Sequence, residues 1–461
     1  MYYLRRCVAG ALVVLSVGTP LQAQRAPTAE DPFTMALAGD ALITRRLSVY
    51  QEPEFQRMIE LIRGADAAFV NLEMLFHDYE PWPMHESGGV YAQADPSLAK
   101  EIVAAGFDLV SLANNHTGDY GVEGMLLTRG YVREAGLVGA GTGENLHEAR
   151  EAHFLETAHG RVALVATTST FPEHSMASRP RGAVRGRPGL SPLRYTSTRV
   201  VTADQLSRLE AALRDVGVAV RPRDGGLTVL GEVFEAGDTP GLRTEPLEQD
   251  VTEMAAVVSN ASRLADYVLV SLHAHEGAGP ATVPAEFLVT YAHAMIDAGA
   301  DLVVGHGPHM LRGIEIYKGK PILYSLGDFM YQTETTLRHP NERYAQAGLD
   351  ETKGAADYYD ATTSSGTRGF PATQEVWESV IAMPTFRGSE LVGIELHPIT
   401  LGFGQPRHVR GRPMLADREL GKKIINDLIE RSRPFGTVVE WREGEGIGVV
   451  RLPTRPEASG R

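Results

Sequence analysis

The sequence has almost no cysteine: Cys7 is the single one among 461 residues. It lies in an N-terminal segment that we expect to be removed from the mature protein. A mature chain without cysteine forms no disulfide and offers no thiolate as a nucleophile or a metal ligand. Any metal ligands must therefore be nitrogen and oxygen atoms.

A hydrophobic run long enough to cross a bilayer is also missing. The apolar segment that begins at Cys7 is short and follows Arg5 and Arg6, which is the layout of a secretory signal peptide. We expect residues 1–23 to be this signal peptide and residues 24–32 to be a polar linker. The mature chain would then have no integral membrane span and would be secreted, periplasmic or part of the cell envelope. An uncleaved N-terminal anchor is the alternative.

Positive charge is scarce as well, with 44 Lys and Arg against 58 Asp and Glu and a formal net charge of -14. Such an acidic chain is a poor binder of nucleic acid and of anionic membrane surfaces, because its overall field repels both. No nucleic-acid partner is therefore expected. An anionic polymer could bind only at a local basic patch.

One such patch is the arginine-rich stretch between Arg179 and Arg199. From it we select Arg185, Arg187 and Arg194 as candidate substrate-binding residues, because guanidinium groups hold phosphate or carboxylate groups by bidentate contacts. A solvated loop rich in Arg, Pro and Gly explains the same stretch equally well.

From Phe33 onward, strand-like apolar runs alternate with segments of helical periodicity, which predicts an α/β layered fold. The expected strands are Thr34–Gly39, Ala67–Asn71, Asp108–Ala113, Arg161–Thr167, Tyr267–Leu272 and Leu302–Gly305. The expected helices are Glu54–Ile62, Pro96–Ala105, Val122–Ala135, Thr252–Leu264 and Pro284–Ala298.

Four segments complete the predicted organisation. Residues 33–401 form the main domain, which contains a long loop at 171–201 and a polar, loop-like insertion at 332–372. Residues 402–461 form a C-terminal extension, with a strand, a helix and a short β-pair that pack on the main domain.

Polar motifs follow the predicted strands repeatedly, and ligands of open α/β sheets bind outside the carboxyl ends of their strands. The six motifs are Gly39-Asp40, Asn71-Leu72-Glu73, Asn114-Asn115-His116, His273-Ala274-His275-Glu276, Gly305-His306-Gly307-Pro308-His309 and Gly327-Asp328. Each has an ordinary alternative by itself, since Asp40 could cap a turn and Asn115 could supply turn geometry. Taken together they predict a metal site.

The donor types decide which metal would bind. Carboxylates and imidazoles together suit Mn²⁺, Fe or Zn²⁺. A bridging carboxylate among several imidazoles can hold two ions, so we expect one or two divalent cations. We expect at most one of His273 and His275 to be a ligand if the strand continues through both.

Three segments carry a resemblance to a known family: Ser111–Gly121, Asp301–His309 and Gly313–Phe329. In these motifs the sequence resembles the CapA family of capsule and poly-γ-glutamate biosynthesis proteins, a branch of the calcineurin-like metallophosphoesterase superfamily. The resemblance extends from about Phe33 to His397.

The resemblance implies a four-layer α/β/β/α sandwich with two central mixed sheets. It also implies that Asp40 ligates one metal and that Glu73 bridges two. Asn115 would ligate the second metal and take part in catalysis with His116, which would orient the substrate or protonate a leaving group. The remaining ligands would be His273, His306 and His309.

Three departures from the family pattern leave the ligand set open. Asp40 is followed by Ala41-Leu42 where the superfamily has Asp-x-His, so a single-metal site is an alternative. His275 is a further candidate ligand that could replace the lost histidine. Asp328 stands where Asn is usual, and its carboxylate could ligate a metal or accept a hydrogen bond from a ligating histidine.

Two functions follow from these features. The first is an exported metal-dependent hydrolase of the CapA family, acting on a phosphoester or amide of an anionic polymer in capsule or poly-γ-glutamate synthesis, export or processing. The alternative is a non-catalytic cell-envelope protein that binds the polymer through a degenerate metal site.

Overall fold

The structure is a computed structural model that describes residues 31–452. The expected signal peptide at 1–23 and most of the expected linker at 24–32 lie outside the described residues. Among residues 31–452, no helix combines the length and the apolar character needed to cross a membrane.

Strands and helices alternate along the described chain. The strands are β1 Pro32–Leu42, β2 Ala67–Leu72, β3 Leu75–Phe76, β4 Gln93–Ala94, β5 Leu109–Ser111, β6 Val138–Ala140, β7 Thr142–Gly143, β8 His153–Thr157, β9 Gly160–Thr168, β10 Gly189–Leu190, β11 Tyr195–Val201, β12 Val220–Arg223, β13 Gly226–Val229, β14 Glu232–Ala236, β15 Gly241–Pro246, β16 Tyr267–His273, β17 Leu302–His306, β18 Ile314–Tyr317, β19 Lys320–Leu323, β20 Asp328–Tyr331, β21 Glu378–Arg387, β22 Glu390–Thr400, β23 Met414–Leu415, β24 Val438–Arg442 and β25 Ile447–Arg451. The helices are α1 Pro53–Arg63, α2 Ala99–Ala105, α3 Gly121–Ala135, α4 Leu146–Arg150, α5 Ala203–Asp215, α6 Glu248–Ala261, α7 Glu286–Asp297, α8 Asn341–Gln346, α9 Ala355–Thr363 and α10 Arg418–Ser432.

Two large mixed sheets organise these elements. The 10-stranded sheet has the order β24-β25-β22-β21-β1-β2-β5-β6, with β20 also paired to β1 and β23 to β22. The 6-stranded sheet has the order β18-β19-β17-β16-β9-β8. Strand β1 is parallel to β2 and β20, and β16 is parallel to β9 and β17, so several strands of each sheet end at the same edge.

Strand β1 shows how the two sheets come together. Its side chains alternate between faces, as the period of two in a strand requires. Phe33 and Leu37 belong to a hydrophobic cluster that includes Leu164 and Leu269 of the smaller sheet. Ala36 and Ala38, whose side chains point to the opposite face of β1, belong to a second cluster, which also includes residues of α1 and α2. A third cluster joins the smaller sheet to α6 and α7.

The predicted strands and helices of the main domain are confirmed, with shifts at their ends. The expected helix Thr252–Leu264, for example, begins earlier and is α6, Glu248–Ala261. The hydrophobic pattern locates these elements well because both sheets are buried and most of their strands are apolar.

The prediction of a long loop at 171–201 is wrong at its end. Residues Tyr195–Val201 form β11, which belongs to a 5-stranded sheet with the order β12-β13-β14-β11-β15. Few residues of these strands are fully buried and many are polar, so they lack the apolar run that reveals a buried strand in a sequence.

The insertion at 332–372, expected to be loop-like, also contains helices, whereas the C-terminal extension has a strand, a helix and a β-pair as the sequence predicted. The insertion includes α8 and α9. The extension supplies β23, α10, β24 and β25, and its strands join the 10-stranded sheet through pairing of β25 and β23 with β22.

Candidate metal centre

The register of the parallel strands aligns the predicted polar motifs at one edge of the two sheets. In the larger sheet, Asp40 of β1 lies opposite both Asn71 of β2 and Asp328 of β20. In the smaller sheet, His273 of β16 lies opposite His306 of β17. Because the ends of these strands are adjacent, motifs far apart in sequence meet in a single buried cluster.

Asp40 is fully buried and held from two sides. The side-chain amide of Asn71 donates to its Oδ1 at 2.7 Å, and the backbone N–H of Gly307 donates to its Oδ2 at 2.8 Å. The Nδ1 atom of His306 lies 3.5 Å from Asp40 Oδ1. These contacts fix the carboxylate with its oxygens toward the imidazoles.

Glu73 is the central residue of the cluster. It is fully buried, and neither of its carboxylate oxygens has a hydrogen-bond partner among the described residues. Its Oε1 lies 3.8 Å from His116 Nε2 and 3.9 Å from the Nε2 atoms of His273 and His309. Burial, assisted by the charge of Asp40, raises the pKa of Glu73 well above its usual value. A buried carboxylate without a donor is unfavourable unless a cation approaches it.

Three imidazoles form a chain of close nitrogen pairs. His273 Nε2 lies 3.0 Å from His275 Nε2, and His273 Nδ1 lies 3.0 Å from His306 Nδ1. Burial lowers the pKa of His273 and His275 well below the usual value, and it lowers the pKa of His306 to about 3. All three are therefore neutral, which is the form that binds metals.

His273 and His275 face the same cluster, because residues two positions apart in extended chain point to the same side. The expectation that only one of them would reach the site is therefore wrong: the chain beyond the end of β16 at His273 keeps both imidazoles together. The backbone N–H of His275 then donates to Thr170 Oγ1 at 2.9 Å. The guanidinium of Arg312, which is buried, donates to backbone carbonyls of the following turn, including those of Ala274 and Glu276.

His309 and Asp328 form a close pair beside Asp40. His309 Nδ1 lies 2.8 Å from Asp328 Oδ1, and Asp328 Oδ2 has no partner among the described residues. Burial opposes the charged imidazole, but the nearby carboxylates of Asp328 and Glu73 prevail and raise the pKa of His309 to about 10. Burial raises the pKa of Asp328 to about 7. The backbone of His309 has a φ of +57°, which a residue other than glycine seldom adopts.

Asn115 and His116 lie at the start of a short 3-10 helix, Asn115–Gly118, capped by the side chain of Asn114. The amide of Asn115 donates to the carbonyl of Gly88 at 2.9 Å, and its Oδ1 is buried without a partner in residues 31–452. His116 Nδ1 lies 2.7 Å from the buried carboxylate of Asp119. Its Nε2 therefore faces Glu73, and it can carry or release a proton there.

The cluster fits a metal ion on the chemistry of its donors. Among the described residues, three groups each bring one ligand atom per residue to within 4.8 Å of one another. They are Asp40 with His273 and His306; Glu73 with His273 and His275; and Asp40 with Glu73, His309 and Asp328. The side-chain oxygens of Glu73, Asn115 and Asp328 that have no hydrogen-bond partner among the described residues are free to act as donors to a metal ion.

The structure brings together all the Asp, Glu and His residues that the sequence suggested as ligands, and Asn115 immediately precedes His116 in the chain. Asp40, Glu73, His273, His306, His309 and the two further candidates, His275 and Asp328, lie in the cluster, with His116 beside Glu73.

The candidate substrate arginines are placed differently. Arg194 makes a bidentate contact with Asp250, with its Nε and Nη2 atoms each 2.8 Å from a carboxylate oxygen. Arg187 donates to the carbonyl of Met176. Arg185 is exposed, and none of the three makes a hydrogen bond or ion pair with the metal-binding residues in the described chain.

Two supporting residues, Asp119 and Ser271, were not singled out in the sequence, and Asn71 was named there only as part of a motif. Asp119 follows His116 by three positions, which brings it onto the same side of a helical turn. Ser271 precedes His273 by two positions in β16, and its Oγ lies 2.7 Å from His306 Nε2. Asn71 precedes Glu73 by two positions. In each case the spacing was the available signal.

Comparison with known proteins supports the family resemblance over most of the chain. Residues 34–333 match the family model of the bacterial capsule synthesis protein PGA_cap. The protein y4sH of Sinorhizobium fredii, described only as uncharacterized, is 36% identical over 434 residues, which are 92% of this chain and 94% of that protein.

More distant relatives have descriptive names. The capsule biosynthesis protein CapA of Bacillus anthracis is 24% identical over 308 residues, 65% of this chain and 60% of that protein. A probable polyglutamine synthesis accessory protein of Mycobacterium tuberculosis is 29% identical over 290 residues, covering 61% of this chain and 59% of the relative. Among solved structures, the NAD nucleotidase of Haemophilus influenzae aligns over 86% of this chain and 56% of its own, with a TM-score of 0.31 and 10% identity.

The family match spans most of the strands that build the cluster, from β1 to β20, and the 36% identity to the Sinorhizobium protein extends over nearly the whole chain. The chain therefore belongs to the PGA_cap family of bacterial capsule synthesis proteins.

Proposed function

We propose that this protein is an exported metal-dependent hydrolase that cleaves a phosphoester or an amide in an anionic polymer. The observation that carries the proposal is Glu73: its two carboxylate oxygens are buried, have no hydrogen-bond donor among residues 31–452, and lie beside three imidazoles. A divalent cation satisfies this arrangement, whereas a purely structural role leaves a costly buried charge or a proton without a partner.

The proposed fold is a four-layer α/β/β/α sandwich. The three hydrophobic clusters support it, because one lies between helices and the larger sheet, one between the two sheets, and one between the smaller sheet and helices. This arrangement buries both faces of each large sheet and leaves the strand ends as the natural site for a ligand.

The proposed site would hold one or two ions, and Glu73 belongs to two of the three ligand groups. The residues that would hold the ions are Asp40, Glu73, Asp328, His273, His275, His306 and His309, with the free Oδ1 of Asn115 as a further donor. The second position after Asp40, where the superfamily has histidine, is Leu42, which is buried in a hydrophobic cluster. Asp328 would supply the missing ligand, because strand pairing puts it directly beside Asp40.

Mn²⁺, Fe or Zn²⁺ is the proposed metal, since the donors are carboxylate, amide and imidazole. When bound, such ions activate water and polarise the bond to be cleaved. The protein's own contribution is His116, whose Nδ1 is fixed by Asp119 so that Nε2 can protonate a leaving group. Asn115 would hold one ion and orient the substrate beside His116.

The substrate and location are proposed from the family. Relatives named for capsule and polyglutamate biosynthesis suggest a role in making, exporting or processing a capsule polymer such as poly-γ-glutamate. Such a role requires a secreted, periplasmic or envelope location, which agrees with the expected signal peptide.

Metal analysis of the purified protein tests this proposal directly. Wild type is expected to contain up to two divalent ions per chain and to hydrolyse one class among model phosphomonoesters, phosphodiesters and γ-glutamyl amides. Glu73→Gln should lose both metal and activity, while Glu60→Gln, on the exposed face of α1, should lose neither. A folded wild-type protein that binds no metal and is indifferent to chelators would refute the proposal.

The alternative of a non-catalytic polymer-binding protein makes a different prediction. It expects binding to an anionic polymer that survives alanine at Glu73 and at His116. The absence of histidine at Leu42 favours this alternative, and the position of Asp328 beside Asp40 argues against it.

A further inference from the structure

The insertion at 332–372 is a folded element that reaches the metal centre. Tyr358 and Tyr359 of α9 are buried, and the hydroxyl of Tyr359 lies 2.7 Å from His339 Nε2 and donates to the carbonyl of Thr333. At its far end, the indole N–H of Trp377 donates to the carbonyl of Phe370 at 3.0 Å. Side chains between these anchors are therefore held in definite positions.

One such side chain is Arg343, which lies on the His116 side of the centre. Its Nη2 donates to the carbonyl of Gly89 at 3.1 Å. Gly89 in turn lies against the imidazole of His116, since a Cβ added there would be 3.8 Å from His116 Cε1. The neighbouring Gly88 is bonded to both Asn115 and Asp119. The guanidinium is thus one residue away from the proposed catalytic side chains.

The charge of Arg343 is not neutralised by a carboxylate. Its guanidinium donates to the backbone carbonyl of Gly89 and to the side chain of Gln346, and it forms no ion pair within residues 31–452. It is also half-buried, so it has free N–H groups at the edge of a low-dielectric site.

Phe370 lies beside His309. The centroid of its ring lies 5.1 Å from that of the His309 imidazole, and 41% of its surface is exposed. An exposed aromatic ring packed on a proposed metal ligand is unusual for a surface position, and it offers an apolar wall to whatever binds beside the metal.

We infer that Arg343 and Phe370 form the substrate-recognition rim of the metal centre. Arg343 binds an oxyanion of the substrate, a carboxylate or a phosphate, next to His116, and Phe370 packs against the adjoining apolar part of the substrate. This inference rests on the proposed hydrolase function and specifies its substrate class: a chain whose scissile group is flanked by an anion.

The arginine-rich stretch expected from the sequence to bind substrate is less suited to this role. Within this stretch, Arg194 pairs with Asp250, Arg179 with Glu253 and Arg199 with Glu232. Arg343 forms no ion pair with a carboxylate within residues 31–452, and it lies beside the residues that would perform the chemistry.

Titration calorimetry with ligands that cannot be hydrolysed tests the rim. The probes are methylphosphonate, phenylphosphonate and a γ-linked triglutamate analogue with methylene in place of each amide N–H, each added to the metal-loaded full chain. Arg343→Ala should weaken the binding of whichever oxyanion the wild type prefers by about tenfold, the loss expected for one charged hydrogen-bonding contact. The affinity of Arg343→Lys should lie between those of wild type and Arg343→Ala. Lys353→Ala, which removes an exposed charge of the same insertion, should bind the probe as tightly as wild type.

Comparison of the two phosphonates tests the role of Phe370. Phe370→Ala should weaken the binding of phenylphosphonate and leave that of methylphosphonate unchanged, because only the phenyl group would contact the Phe370 ring. A preference for the triglutamate analogue over the phosphonates would identify the oxyanion as carboxylate, and the reverse preference would identify it as phosphate.

Either of two results would overturn the proposed rim. Arg343→Ala could bind all three probes as tightly as wild type does, or Lys353→Ala could weaken their binding as much as Arg343→Ala does. Metal content measured on the same samples separates this failure from that of the proposed function. A wild-type protein that contains no metal contradicts the hydrolase proposal. A wild-type protein that contains metal but binds the anionic probes no more tightly than Arg343→Ala contradicts only the proposed rim.

Discussion

Asp119 shows how much of the site depends on a residue that touches no proposed metal ion. Its carboxylate lies 2.7 Å from His116 Nδ1 and accepts the backbone N–H groups of Gly88 and Ala92 at 2.8 Å. It therefore fixes both the tautomer of His116 and the chain that covers it.

Asp119→Asn should lower kcat by about 100-fold, the usual contribution of a general acid, because the amide no longer stabilises the proton on Nδ1. Metal content should not change, since Asp119 is absent from the three ligand groups. Steady-state kinetics and metal analysis on one preparation check both parts. The matched control is Glu86→Gln, an exposed acid of the loop that carries Gly88. An equal loss of metal and activity in Asp119→Asn would mean that the residue is structural.

Ser271 has the corresponding role for His306. Its Oγ lies 2.7 Å from His306 Nε2, which leaves Nδ1 directed at Asp40. Ser271→Ala should reduce metal affinity by about 10- to 100-fold, as loss of a hydrogen bond to a ligating imidazole typically does. Competition with a chelator measures this, with Ser259→Ala on the exposed face of α6 as the control. Unchanged affinity would show that His306 does not ligate.

At the scale of secondary-structure elements, the close approach of β1 and β20 decides the geometry of the centre. Gly39 lies where a Cβ would be only 1.8 Å from the carbonyl oxygen of Gly327. The next residues in each strand are Asp40 and Asp328, so any separation of the strands moves two carboxylates apart.

Gly39→Ala should therefore destabilise the protein by roughly 1–3 kcal/mol, the usual cost of overpacking, and should weaken metal binding as well. Gly393→Ala is the control, because Gly393 lies in β22 and a Cβ added there meets no atom within 4 Å. Denaturant unfolding and metal titration of both variants test the expectation. If Gly39→Ala binds metal like wild type, the spacing of β1 and β20 does not control the centre.

The same elements show what a sequence can and cannot predict. The buried strands and the polar motifs after them were predictable, because apolar runs and short polar motifs are local signals. Their pairing was not local: nothing in the residues around Asp40 indicates that β20, far along the chain, lies beside it. The partly buried strand β11 was missed for lack of an apolar run, and Arg343 was missed because its neighbour Gly89 is distant in sequence.

For the molecule as a whole, the centre is a concentration of negative charge in a chain that is already acidic. Asp40, Glu73 and Asp328 are all fully buried, and the net charge is -14. A bound cation offsets this charge in the folded state and has no comparable site in the unfolded chain. The proposed metal is thus a determinant of stability as well as of activity.

Chelation should lower the melting temperature of wild type, and adding back the divalent ion should restore it. Saturation at about 100 times Kd stabilises the folded state by about 2.7 kcal/mol for one site. Glu73→Gln should show little or no such shift, because it lacks the shared ligand. Thermal unfolding with and without chelator gives the comparison. A melting temperature that is independent of chelator in wild type would contradict a structural contribution from metal.

The C-terminal extension belongs to the same folding unit as the metal centre. Ile424, Ile425 and Leu428 of α10, with Val439 and Val450 of the last strand pair, are buried in the cluster between the two sheets. That cluster also contains Leu37, three residues before Asp40. Removal of the extension would therefore open the core directly behind the site.

Truncation after residue 401 should abolish soluble expression. Each of the five apolar side chains contributes about 1.5–3 kcal/mol by burial, and the sum is comparable to a whole domain's stability of about 5–15 kcal/mol. Soluble yield and thermal unfolding measure the effect. Leu428→Ala in the full chain is the milder companion variant and should cost about 2–5 kcal/mol while leaving the protein folded. A truncated chain that folds and binds metal would show that the larger sheet is complete without β24 and β25, although they form one of its edges.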